Sequence, residues 1–388
     1  MTFIKFAKRL LVMAGFARSM KDPAKFSTSL RTIGDKLETS LVRKSSVPYL
    51  LTKSNTALSL PETFVTEGKT RNTKEYLKEV NCDGILILID GKVVHEQYYN
   101  GMQPQDRHMS FSVGKSMAST VVGLALDHGV LDSVDDLVVK YVPELKNTGF
   151  DGVTLAQCLE MSSGADFQED YEEGAPSDMP RFQKHSAFHK PYIDFVKTIG
   201  RDKAPGTYNG YSSMDALVLG LVVDHALGDK NFAEFMHESL WEPIGAEQDA
   251  KWAVDPTGAP ATAGGFFACL RDYAKFGQLF LQNGQWEGKQ LISEAWVKQA
   301  TTPHAPHLMP GKRDDCLKPW GYGYLWWTPE FPYGGDFFAS GIHSQYVYVN
   351  PEKNIVIATV SANTRFYEKP EGYKLHHVDL FQAIAKSV

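Results

Sequence analysis

From Asp83 the chain alternates apolar runs with turn residues in the manner of a β-hairpin: Asp83-Gly-Ile-Leu-Ile-Leu-Ile-Asp90, then Gly91-Lys92, then Val93-Val-His-Glu-Gln-Tyr-Tyr99. Two apolar runs separated by Asp-Gly predict a tight reversal, because both turn residues tolerate positive φ. Asn100-Gly101 ends the second strand. A helix is predicted next, Ser112 to Asp127, rich in Ala, Met and Val, with Gly129 where a left-handed cap belongs. Up to about Gly284 the pattern is mainly helical, with apolar residues at three-four spacing over Leu155–Met161, Tyr211–Ala226, Asn231–Leu240 and Arg271–Asn283. Strand patterns return at Gly321–Trp327, Asp336–Ser340, Gln345–Val349 and Asn354–Ser361, with Pro351-Glu-Lys-Asn354 as a turn. A last helix is expected from about Lys374 to Lys386.

Strands at both ends and helices between them predict an α+β fold: one antiparallel sheet built from N- and C-terminal segments, flanked by helices, with a mainly helical lobe of about residues 130–285 inserted into it. That body is expected over residues 74–388, with residues 1–73 as a leader wrapped over it. Residues 22–73 are mixed and polar and are expected to be irregular. Residues 1–21 carry Lys5, Lys8, Arg9, Arg18 and Lys21 and no acid, around the apolar run Leu10–Ala17, which is too short to span a bilayer. The preferred expectation is a helix docked on the protein's own surface. A weak secretory signal, an organelle presequence and a basic helix in peripheral contact with a membrane stay open. The expected location is cytoplasmic, with periplasmic, organellar and membrane-peripheral placement left open.

Composition narrows the function. The 388 residues are 43% hydrophobic and 22% charged, with a net charge of -6 and no basic stripe, so nucleic acid is not an expected partner. Cys82, Cys158, Cys269 and Cys316 stand far apart without a C-x-x-C pair, which predicts neither disulfides nor a zinc site. The histidine pairs His185/His189 and His304/His307 lack an acid in a zinc-protease pattern, so no metal or cofactor is expected. Oligomeric state is not readable.

The chemistry-bearing feature is Ser112-Val-Gly-Lys115, the only Ser-x-x-Lys in the chain. Residues three apart share a helix face, so the Lys115 amine can reach the Ser112 hydroxyl and activate it as a nucleophile. In Pro205-Gly-Thr-Tyr-Asn-Gly-Tyr-Ser-Ser213, Tyr211 stands just before a helix. A phenol there, beside a lysine ammonium, is a candidate proton carrier with a lowered pKa; the competing reading is a ring packed at a seam. Phe337-Phe-Ala-Ser-Gly-Ile-His-Ser-Gln345 holds small residues on a strand, which permit close approach of a ligand. A backbone N–H from that strand, together with that of Ser112, is a candidate oxyanion hole; a bulge or packing contact is the alternative.

These three elements, in this order, resemble the serine β-lactamase superfamily, and specifically its class C-related branch of esterases, D-peptidases and 6-aminohexanoate-dimer hydrolases. Leu159-Glu-Met-Ser-Ser-Gly164, Gly264-Gly265 and Leu270-Arg-Asp-Tyr-Ala-Lys-Phe-Gly277 agree with it, over about residues 75–385. The resemblance implies Ser112 as the acylated nucleophile, Lys115 as its base, Tyr211 as proton shuttle, and the N–H groups of Ser112 and Ile342 as the oxyanion hole. It implies Tyr171 as a loop residue closing over substrate, and places Ser213 where many members have Asn. Ser340, Gly341, Phe266, Phe267 and Trp327 complete the expected substrate-binding set. Where penicillin-recognising members have Lys-Thr-Gly this chain has Ala339-Ser340-Gly341, so a cationic clamp for a β-lactam carboxylate is missing from that strand.

Trp320, Tyr322, Tyr324, Trp326 and Trp327 crowd one segment and suggest an apolar acyl or aryl group, unless they are core. The acidic run Gln168–Glu173 with Asp178 suits an amine-bearing substrate, unless it is a solvated loop. The expected function is hydrolysis of a small-molecule ester or amide, as a carboxylesterase or a 6-aminohexanoate-oligomer-type amidase. A D-amino-acid peptidase, a weak β-lactamase, or a catalytically silent ligand-binding or self-assembling member are the alternatives.

Overall fold

A computed structural model of the chain describes residues 3–172 and 174–388. Its centre is a seven-stranded antiparallel sheet whose order runs Gly321–Tyr322, Trp327–Thr328, Phe337–Gly341, Gln345–Asn350, Ile355–Ser361, Cys82–Ile89, Lys92–Tyr98. The first hairpin therefore joins the sheet beside the last strand of the chain, as the α+β reading requires. Asp90 and Gly91, at φ 50 and 71, form the predicted turn.

Side-chain alternation explains how the sheet is covered. In Gln345–Asn350 every residue is buried. Tyr346 and Tyr348 pack on Phe381 of the C-terminal helix, Pro370–Lys386. Val347 and Val349 face the helix Leu270–Leu281, where a Cβ at Gly277 would sit 2.8 Å from Val347 and 2.6 Å from Val356. Period two puts valines under one helix and tyrosines under the other, and glycine lets the first close on the sheet.

The helix Val113–Asp127 is buried from its start through Ala125 and lies between this sheet and the helical region. Its Ser116 and Ser119 hydroxyls donate to the carbonyls of Leu325 and Tyr324, at 2.6 and 2.7 Å. With Leu325 at φ 60, this takes the aromatic segment out of ladder geometry. The expected strand Gly321–Trp327 is accordingly two short strands with a bend between them. The middle of the chain is helical, but it also holds Ala250–Ala253 and Phe266–Ala268, which pair with Thr39–Val42 and His108–Met109 in a four-stranded sheet.

The leader differs from the expectation of irregular chain. It forms the helices Phe3–Ser19 and Pro23–Thr32 and the strands Thr39–Val42, Thr63–Thr66 and Lys69–Asn72. Phe26 and Leu30 are fully buried, and Ser27 donates to Asp83 at 2.6 Å, tying the second helix to the first strand of the main sheet. The first helix rests on the protein through Arg9, buried, which bonds Glu38 and the Ser186 carbonyl. No described helix is long and apolar enough to cross a membrane.

Candidate active site

Ser112 begins the central helix with an unusual backbone. A serine at a helix start ordinarily turns its hydroxyl back to accept from the second or third N–H. Ser112 instead takes helical angles, φ -69 and ψ -7, and makes no such bond. Phe111 before it sits at φ 44, a costly conformation for a bulky residue. The released hydroxyl faces Lys115, whose Nζ lies 2.8 Å from Ser112 Oγ and 2.6 Å from the Ala263 carbonyl. Ser112 is 9% exposed and lines a cavity, whereas Lys115 is 1% exposed. Burial pushes the Lys115 ammonium down to about 8, against the opposing charge of Glu169.

Tyr211 joins this pair from a distant segment. The turn that carries it is anchored by Gly210 N–H to the Met161 carbonyl and by Asn209 Nδ2 to the Glu160 carbonyl. Its ring centroid is 5.0 Å from Lys115 Nζ, and the ring stacks on Trp327 with the centroids 5.3 Å apart. The phenol does not have the lowered pKa expected of it. Burial, reinforced by Glu169, pushes it well above the usual tyrosine value, with a contact to Ser112 in opposition. Tyr211 therefore enters any reaction carrying its proton.

The strand Phe337–Gly341 closes the other side. A Cβ on Gly341 would fall 2.5 Å from the Ser110 carbonyl oxygen and 3.1 Å from the Ser112 nitrogen. Only glycine lets the strand come this near, and Ile342 follows immediately. Among the described residues, neither the Ser112 nor the Ile342 N–H has a backbone acceptor outside helices and strands.

A narrow cavity of about 50 Å³ opens on these groups, lined by Ser112, Tyr171, Tyr211, Trp327, Ser340 and Ile342 among others. It shares Glu169, Asp170, Tyr211 and Leu317 with a second cavity of about 290 Å³, whose wall includes Asp166, Asp202 and Lys203. Tyr171, Ser340 and Trp327 line the narrow cavity, and Gly341 lies against the Ser112 backbone beside it. Ser213, Phe266 and Phe267 do not line it. Ser213 is buried behind Tyr211, donating through its N–H and hydroxyl to Glu169 at 2.5 and 2.8 Å. Phe266 is enclosed by Trp241 and Trp252, and Phe267 lies against Gly34. They are core because the small sheet they belong to is covered on the sides they face.

The acidic run is also more structural than its composition suggests. Glu169 is buried and accepts from Ser213 and from the Tyr171 hydroxyl. Asp170 and Glu172 approach Lys318 at 3.5 and 3.6 Å. Glu173 lies outside the described residues. Of the aromatic segment, Trp326 is core, packed on Phe276 and Phe280, whereas Trp327 lines the cavity. Sequence reading missed Lys318 and Lys374, two ammonium groups on the cavity wall. Lysines on a loop and a helix carry no local sign that they point inward.

A family model for beta-lactamases matches residues 70–380. The chain belongs to the beta-lactamase family. As a member of it, this protein is a serine hydrolase of the β-lactamase superfamily. It is 30% identical over 297 residues to the 6-aminohexanoate-dimer hydrolase of Paenarthrobacter ureafaciens, covering 74% of each chain. Its fold matches a Bacillus anthracis protein provisionally named 6-aminohexanoate-dimer hydrolase, with a TM-score of 0.82 at 22% identity over 94% of this chain and 95% of that one. It also matches a family VIII carboxylesterase, with a TM-score of 0.58 at 17% identity over 79% and 92% of the two chains.

Gly341 gives a direct test of the close approach in this family member. Gly341→Ala is expected to cost about 1 to 3 kcal/mol of stability by forcing the strand off Ser110 and, if the Ile342 N–H serves as an oxyanion donor, to lower hydrolytic turnover at least roughly tenfold by displacing it. Urea unfolding and initial rates read the two effects. Wild-type values for both would mean that the contact is easily relieved.

Proposed function

We propose that this protein hydrolyses linear esters or amides through an acyl-enzyme on Ser112, with Lys115 as general base and Tyr211 as proton shuttle. The observation that carries the reading is the 2.8 Å approach of the buried Lys115 amine to a serine hydroxyl that is left uncapped at the floor of a cavity. Neutral Lys115 takes the Ser112 proton as Oγ attacks the carbonyl carbon. The negative charge that develops on the carbonyl oxygen falls between the N–H groups of Ser112 and Ile342; one such donor is typically worth about 2.7 to 4 kcal/mol. Tyr211 gives its proton to the departing oxygen or nitrogen and regains one from Lys115. Water then attacks the Ser112 ester, losing its proton to Lys115; the acyl–Oγ bond breaks as Lys115 returns that proton to Ser112 Oγ, and the acid leaves with Ser112 and neutral Lys115 restored.

The two cavities and the relatives support a reading of the substrate class. Tyr171 and Trp327 offer apolar and hydrogen-bonding surface beside Ser112, and the adjoining space has an acidic wall suited to an amine-bearing arm. A linear amide of the aminohexanoate type, or an ester of similar length, fits both. Intact-protein mass spectrometry after brief incubation with a small ester and amide library tests the reading. An added mass equal to one acyl group, mapped to Ser112, is expected for the best substrates. Turnover with no acyl adduct under rapid quench, or an adduct on another residue, would sink it.

A further inference from the structure

The strand that lacks a lysine is not the only source of positive charge at this cavity. Lys374, from the C-terminal helix, lines the same space as Ser112 and Ser340. Its side chain is 12% exposed, and its Nζ lies 3.9 Å from the centroid of the Trp327 ring and 5.3 Å from that of Trp320. Trp327 in turn stacks on Tyr211, so ammonium, indole and phenol form one column beside the reactive serine.

An ammonium has three protons to place, and a largely desolvated one gains most from an anionic acceptor at hydrogen-bond distance. Lys374 has none among the described residues. The nearest carboxylate, Glu371, is 3.6 Å away and accepts the Trp320 indole N–H at 2.7 Å. Lys318 stands beside it, 3.9 Å from the same Glu371 and 3.5 Å from Asp170. The pair is held loosely by acids, Lys374 by a long ion pair with Glu371 at 3.6 Å, and both lysines line the cavity. Burial, together with Lys318, depresses the Lys374 pKa against the pull of Glu371. An incoming anion would offset that burial.

We propose that Lys374, supported by Lys318, is the residue that recognises a carboxylate on the substrate, selecting linear chains in which one arm ends in a carboxylate a few methylenes from the scissile carbonyl. This deepens the reading of Ser112 as an ester and amide hydrolase and rests on it for the word substrate. The cation comes from a helix instead of the strand, so it meets the arm over the face of Trp327 and not along Ala339-Ser340-Gly341.

Tryptophan fluorescence titrations with hexanoate and with hexanamide, two six-carbon probes differing in charge, test it without requiring turnover. The wild-type protein is expected to bind hexanoate at least roughly tenfold more tightly than hexanamide. Lys374→Met and Lys374→Gln should bring the ratio to within about threefold, and Lys374→Arg should retain the preference. Equal affinity for the two probes in the wild type overturns the proposal, as does an unchanged ratio in both neutral variants. A protein that binds hexanoate through Lys374 yet never acylates refutes the catalytic reading alone. One that acylates but does not distinguish the probes refutes only the carboxylate site.

Discussion

Ser112→Ala is expected to lower kcat/KM on a p-nitrophenyl acyl ester by about 10⁴-fold or more while leaving the thermal midpoint close to that of the wild type. The size of the loss follows from what one atom does. If Ser112 Oγ forms the acyl bond, no neighbour replaces it, because the next hydroxyls along the helix, Ser116 and Ser119, are buried and committed to the Leu325 and Tyr324 carbonyls. The fold is spared because Ser112 makes no cap bond, and Lys115 keeps its 2.6 Å bond to the Ala263 carbonyl. Retention of full ester turnover by the variant would refute the assignment.

Lys115→Met is expected to be nearly as damaging to turnover and, unusually, to stabilise the protein at neutral pH. In the folded protein the Lys115 pKa is pushed down to about 8, against an ordinary lysine value of 10.5. Below pH 8 the amine is protonated in both states, and the fold bears the burial of the charge. Between about 8 and 10.5 the unfolded chain binds more protons than the folded one, so stability rises with pH through that window. The ceiling on the neutral-pH penalty is about 3 kcal/mol, and methionine removes it while filling similar space. Activity has the same direction: kcat/KM should climb through about pH 8 and level off above it, because only the neutral amine can take the Ser112 proton. Urea unfolding at pH 7 and pH 10, with a pH–rate profile, measures both. A variant less stable than the wild type by several kcal/mol, or a profile flat from pH 6 to 10, would contradict the role of a desolvated base.

Local patterns were legible where one interaction dominates. Asp90-Gly91 turns because both residues accept positive φ, and the Tyr/Val alternation of Gln345–Asn350 reflects the two helices on its faces. The leader was harder to read. Its helix Pro23–Thr32 buries only Phe26, Ser27 and Leu30, and Ser27 is buried because Asp83, 56 residues away, accepts its hydroxyl. Phe266 and Trp327 pose the same problem in opposite directions. Both are aromatic residues in motif regions, yet one is sealed by Trp241 and Trp252 and the other faces the cavity.

The amino-acid order alone determined that a lysine stands one helical turn from a serine, that small residues occupy the strand ending at Gly341, and that strands bracket a mostly helical middle. Those are properties of neighbours in the chain, set by backbone geometry and side-chain period. Whether the serine hydroxyl is free, whether the amine is dry, which aromatics touch the cavity, and that Lys374 reaches it were decided only by tertiary structure. Each depends on groups far apart in the chain, and desolvation and close approach exist only once those groups pack together.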